Sequence, residues 1–123
     1  MNLGDTFVPE QLDHHLWIIT SDPSKDKEKV VIMNLTTYTI DEEEVCVLQP
    51  GDHPFVKHKT AIRYYEARIV SLGVLTRLLD ANALRPHQRA SSDMMAKIWR
   101  GAAMSRFIPG ECVDILEEQS LLP

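Results

Sequence analysis

Val30–Val31–Ile32–Met33–Asn34–Leu35 is an apolar run broken by one amide, and it ends in Thr36–Thr37. Upstream lies a second run of the same kind, His15–Leu16–Trp17–Ile18–Ile19–Thr20, rich in β-branched and aromatic residues. Between them stand the turn cluster Ser21–Asp22–Pro23–Ser24 and a charged tip, Lys25–Asp26–Lys27–Glu28. Pro23 fixes φ and removes a donor, so neither strand continues through it. A short polar link makes antiparallel pairing the cheap connection. The near-continuous hydrophobicity of both runs predicts a central hairpin covered on both faces.

Outward from this hairpin, further short strands are expected at Thr6–Phe7–Val8, Val45–Cys46–Val47–Leu48, Thr60–Ala61–Ile62 and Ala67–Arg68–Ile69–Val70, five or six in all. Gln49–Pro50–Gly51–Asp52 is a strong turn signal. Short strands with frequent turns favour a small barrel or sandwich over a parallel sheet. The acidic run Asp41–Glu42–Glu43–Glu44 is expected to be exposed, because burying unpaired carboxylates is costly.

The period then changes. Leu72, Leu75, Leu78 and Leu79 recur at helical spacing, and Asn82 suits a left-handed helix close. Arg85–Pro86–His87 interrupts the pattern. Ser91 or Ser92 suits the N-cap of a second helix packed through Met94, Met95, Ile98, Trp99 and Ala102. Pro109–Gly110 precedes a short last helix through Val113, Ile115 and Leu116. The expectation is one α+β domain over residues 1–123: a mainly β barrel over about 3–72, then a helical C-terminal extension over about 72–123.

A chain of 123 residues can bury roughly two-thirds of its unfolded surface, and 44% of this one is hydrophobic. Cys46 and Cys112 therefore read as reduced structural thiols in a cytoplasmic protein rather than a required staple. The amino terminus shows no basic region followed by an apolar run, and no stretch approaches the ~18 apolar residues of a membrane span. A net charge of −5 argues against wholesale wrapping of nucleic acid, yet Lys57, Lys59, Arg63 and Arg68 form a local basic region beside His53 and His58.

Histidines are the first candidates for chemistry, since they alone titrate near neutrality unaided. His14 and His15 open a strand and point to opposite faces. His53 and His58 bracket Pro54–Phe55–Val56–Lys57, a stiff turn able to hold two imidazoles in place. Thr36 and Thr37 place hydroxyls at a strand end, Arg63 offers a planar fork for phosphate, and Tyr64 and Tyr65 offer stacking surfaces. Together these suit an RNA phosphodiester. Asp52, His53, His58 and one of the histidine pair could also be read as metal ligands, but their spacing matches no zinc signature and neither cysteine has a CxxC partner. No metal or cofactor is expected. Serine-hydrolase elbows, phosphate-cradling glycine loops and HExxH are absent.

The order Gly4–Asp5, then a strand ending Thr20–Ser21–Asp22, then a strand ending Leu35–Thr36–Thr37, resembles the PemK/MazF-like toxins. Lys59–Thr60–Ala61–Ile62 and Ala67–Arg68–Ile69–Val70 look like that family's next strand pair. The resemblance implies an SH3-like barrel, a homodimer, an antitoxin partner and metal-independent endoribonuclease activity by 2′-hydroxyl attack. Thr36 and Thr37 match the family's Leu-Thr-Ser element. Where the family carries Arg-Pro before its first apolar strand, this chain reads His14–His15. On that basis His14, His15, Thr36, Thr37, His53 and His58 are the expected catalytic residues. Lys57, Lys59, Arg63 and Tyr64 are the expected substrate-binding ones. The alternative is a non-catalytic SH3-like module that binds a partner protein or nucleic acid.

Overall fold

A computed structural model of the chain describes residues 1–11 and 14–123. Among the described residues, seven strands form one antiparallel sheet: β1 (Thr6–Pro9), β2 (Trp17–Ile19), β3 (Lys29–Thr37), β4 (Val47–Leu48), β5 (Thr60–Ile62), β6 (Arg68–Ser71) and β7 (Leu84–His87). The described residues also form three helices: α1 (Leu72–Asp80), α2 (Ser92–Met104) and α3 (Gly110–Glu118).

β3 organises the sheet. One edge pairs with β2 (Trp17 opposite Asn34, Ile19 opposite Ile32), the expected hairpin. The other edge is shared. β6 pairs with its first half (Val30 opposite Val70) and β5 with its second (Thr37 opposite Thr60). Alternate side chains of a strand face opposite ways, so Val31, Met33 and Leu35 enter one core, with Ile98 of α2 and Leu116 of α3. Val30 and Ile32 enter the other, with Phe7, Trp17, Ile19 and Leu75 of α1. Covering both faces is what makes the run apolar at every position but Asn34, and each fully buried aliphatic side chain contributes about 1.5–3 kcal/mol.

The path β4-β5-β3-β2-β1-β7 is open at both ends, so the α+β class stands while the strands do not close into the expected barrel. The strand count also differs. Arg85–Pro86–His87, which the sequence presents only as an interruption, belongs to β7 (Leu84–His87), and that strand pairs with β1 along its full length. Pro86 is tolerated because β7 is an edge strand, where a missing N–H leaves no ladder partner wanting.

The helix ends follow their local chemistry. Ser91 caps α2, its hydroxyl accepting from the Met94 N–H at 3.1 Å. Asn82 takes φ 59° after α1, and the Asn82 and Ala83 N–H groups return to the Leu79 and Leu78 carbonyls, a Schellman close. α2 docks through Tyr64, whose buried hydroxyl donates to the Ile98 carbonyl at 2.7 Å. Cys46 and Cys112 are buried and unpaired, and burial pushes each thiol up to about 11. Among the described residues, no helix is long and apolar enough to cross a membrane.

The acidic run is only partly exposed. Glu42 and Glu43 are half-buried because both are paired. Glu42 binds Arg63 at 2.9 Å, and Glu43 accepts from the Ser105 hydroxyl at 2.7 Å and the Arg106 N–H at 3.0 Å.

Candidate functional site

The β2–β3 hairpin sets the start of β2 beside the end of β3, and β5 brings the preceding loop to the same place. His14 and His15 come from the first of these, Thr36 and Thr37 from the second, Lys57 and His58 from the third. These six line one cleft of about 450 Å³. Leu35, Phe55 and Thr60 complete its wall.

Within it, Thr37 Oγ1 and His58 Nε2 lie 2.9 Å apart, both on exposed residues. His15 Nδ1 lies 2.9 Å from the Leu35 carbonyl. A carbonyl only accepts, so Nδ1 carries the proton, and Nε2 is the basic nitrogen of the neutral ring. Lys57 and His14 are exposed at the cleft. Thr36 is buried to 8% exposure, and its Oγ1 accepts from Arg63 Nη2 at 3.0 Å. With its oxygen so engaged, the Thr36 hydroxyl keeps its own proton to donate.

Four expected site residues lie elsewhere. His53 is buried: its Nδ1 accepts from the Phe55 N–H at 3.0 Å, so its Nε2–H donates to the Gln88 carbonyl at 2.5 Å. Both nitrogens are consumed in holding the loop, and the expectation that His53 and His58 face one site is not met. Tyr64 is a core residue at 1% exposure, with burial raising its pKa; its neighbour Tyr65 is the exposed ring. Lys59 stands over the Tyr38 ring, 4.0 Å from its centroid, outside the cleft wall. Arg63 lines a separate hollow of about 190 Å³ with Glu42 and Tyr65, and reaches the first cleft only through Thr36. Partial burial opposes its charge, but the hydrogen bond and charge of Glu42 outweigh this and hold its pKa above the usual value.

No protein-family model matches this chain, and no curated protein matches it. What can be said of its chemistry therefore rests on the cleft. Among the described residues no three His, Cys, Asp or Glu side chains are grouped to hold a metal ion, and the Asp52–His53–His58 set is not assembled. The cleft instead offers imidazoles that can move a proton, an ammonium that can meet an anion, and hydroxyls that can hold one. The residue that the sequence does not single out is Phe55, which stands there only as part of the stiff turn between His53 and His58. Its half-open ring lines the cleft, and a Pro-Phe pair between two histidines was the available signal.

Proposed function

We propose that the chain is a PemK/MazF-like endoribonuclease whose site is this cleft. The observation that carries the proposal is the convergence of His14, His15, His58, Lys57, Thr36 and Thr37 around one cleft of about 450 Å³. The RNA's 2′-hydroxyl attacks the adjacent phosphorus, one imidazole takes its proton, and another protonates the departing 5′-oxygen. The products are a 2′,3′-cyclic phosphate and a 5′-hydroxyl. His58 and His14 take the proton-transfer roles. Lys57 meets the charge on the phosphorane, and Thr36, its oxygen held by Arg63, donates to a phosphate oxygen. On this reading the central strands correspond to an SH3-like core, and the protein acts in the cytoplasm as a homodimer restrained by an antitoxin.

The test is incubation of purified protein with mixed-sequence RNA in EDTA. Cleavage with cyclic-phosphate ends is expected, falling about 10²–10⁴-fold in His58→Ala. Intact RNA, together with growth inhibition that is absent or unchanged in that variant, sinks the proposal. A second reading, a binding module without cleavage, is favoured by one fact: Arg63, the guanidinium nearest the cleft's threonines, is tied to Glu42 and Glu66. Retained RNA binding without product would support it.

A further inference from the structure

Phe55 occupies an unusual position for a loop aromatic. The residue is 36% exposed and lines the cleft, while two hydrogen bonds to His53 hold its backbone. Its N–H is fixed on the buried His53 ring, and Val56, buried at 4%, returns its own N–H to the His53 carbonyl at 2.9 Å. The ring also packs on His87 of β7, centroids 5.6 Å apart and planes at 80°. In a perpendicular pair, whichever ring presents its edge, His87 covers at most one face of Phe55. A flat apolar surface is thus held in place beside Lys57 and the Thr37–His58 pair.

We infer that Phe55 is a nucleobase platform: a base of single-stranded RNA stacks on it while the phosphate beside that base meets Lys57 and His58. This rests on the ribonucleic-acid reading of the cleft and adds to it the part of the substrate that is gripped. Every nucleobase has a π-face, so the platform is tolerant of sequence and supplies affinity rather than a code. The brace from His53 and His87 means little freedom is lost when a base docks, which favours binding. The expected Tyr64 platform is buried, and exposed Tyr65 lines the other hollow, so among the described residues Phe55 supplies the apolar ring of this cleft beside its three imidazoles.

The test uses the full-length chain and two fluorescein-labelled probes that lack the attacking hydroxyl: a short mixed-sequence single-stranded RNA with 2′-O-methyl sugars throughout, and an abasic 2′-O-methylribose-phosphate polymer of equal length. Phe55→Leu keeps apolar bulk and removes the π-face. It is expected to bind the RNA roughly 5- to 150-fold more weakly, the effect of losing one stacked base, and the abasic polymer unchanged. Phe55→Trp is expected to bind the RNA at least as tightly as the parent. Lys57→Ala is expected to weaken both probes alike. Circular dichroism establishes that each variant is folded. Equal RNA affinity in Phe55→Leu, or equal loss on both probes, overturns the platform. If Lys57→Ala weakens RNA binding and Phe55→Leu does not, the cleft survives as a nucleic-acid site and only the platform falls. A parent protein that binds neither probe overturns both.

Discussion

Gly101→Ala should be a damaging substitution at a position where helix chemistry alone favours it. In the interior of an exposed helix, alanine is about 1 kcal/mol better than glycine. Gly101 is buried in α2, and a Cβ built on it would lie 2.3 Å from Tyr64 Oη, 2.8 Å from Cys46 Cβ and 3.0 Å from the Val45 carbonyl oxygen. None of these neighbours can withdraw easily. Val45 presents backbone, Cys46 Cβ is fixed by its own backbone, and the Tyr64 hydroxyl is anchored on Ile98. Overpacking costs about 1–3 kcal/mol. Pushing the hydroxyl off its buried partner adds roughly 1–3 kcal/mol more. After the helix gain is set against these, a net loss of about 3 kcal/mol is expected, or about 10 °C in Tm for a domain of this size. Urea titration followed by circular dichroism measures it. Tyr64→Phe alone should cost about 1–2 kcal/mol. In the double variant the worst contact is gone, so its loss should fall short of the sum of the singles by about 1 kcal/mol or more. Gly101→Ala at or above parent stability, or strict additivity in the double variant, would refute the idea that α2 is docked by this close approach.

Two further outcomes follow from buried groups. Cys46 and Cys112 keep their protons to about pH 11 in the fold, whereas in the unfolded chain they lose them near pH 9, and burial raises Tyr64 in the same sense. Between those values the unfolded state binds fewer protons, so stability should hold to about pH 8.5 and then decline toward pH 11. Urea midpoints that stay level from pH 8 to pH 10.5 would count against this. His53→Leu should lose about 2–3 kcal/mol, since the Phe55 N–H is left without its acceptor inside the loop. Faster hydrogen exchange confined at first to residues 51–58 would identify the cause, and unchanged exchange there would exclude it.

How far the sequence could be read depends on whether burial leaves a period. Val30 to Leu35 announces its own role, because a strand covered on both faces is apolar at nearly every step, here at all but Asn34. Asn82 and Ser91 are equally direct, since each satisfies backbone groups within its own turn. β7 left no such trace. Only Leu84 of its four residues is buried, and what makes Leu84–His87 a strand is the edge of β1, a partner nearly eighty positions upstream in sequence. The same limit divides the site. His14, His15, Thr36 and Thr37 could be grouped beforehand because a hairpin forces the start of one strand against the end of the next. His53 and His58 could not be told apart, for a loop has no alternation to say which ring turns inward.

Tyr64 and Tyr65 differ for a related reason. They are neighbours in the short turn Tyr64–Glu66, and the one that is buried is the one that meets a glycine of α2. A sequence gives both residues the same aromatic credentials. Only the arrival of a helix thirty-odd positions later decides that one fills the core and the other faces solvent. The same helix takes Tyr64 out of solvent, while Phe55, within three residues of both His53 and His58, reaches the cleft wall from its own loop and packs there on His87. The chain is acidic overall, yet the wall of this cleft carries three histidines and a lysine and no carboxylate, while Glu42 and Glu43 are spent on Arg63 and the end of α2. That separation of charge leaves an acidic protein with one surface of the sign the proposed phosphate contact needs.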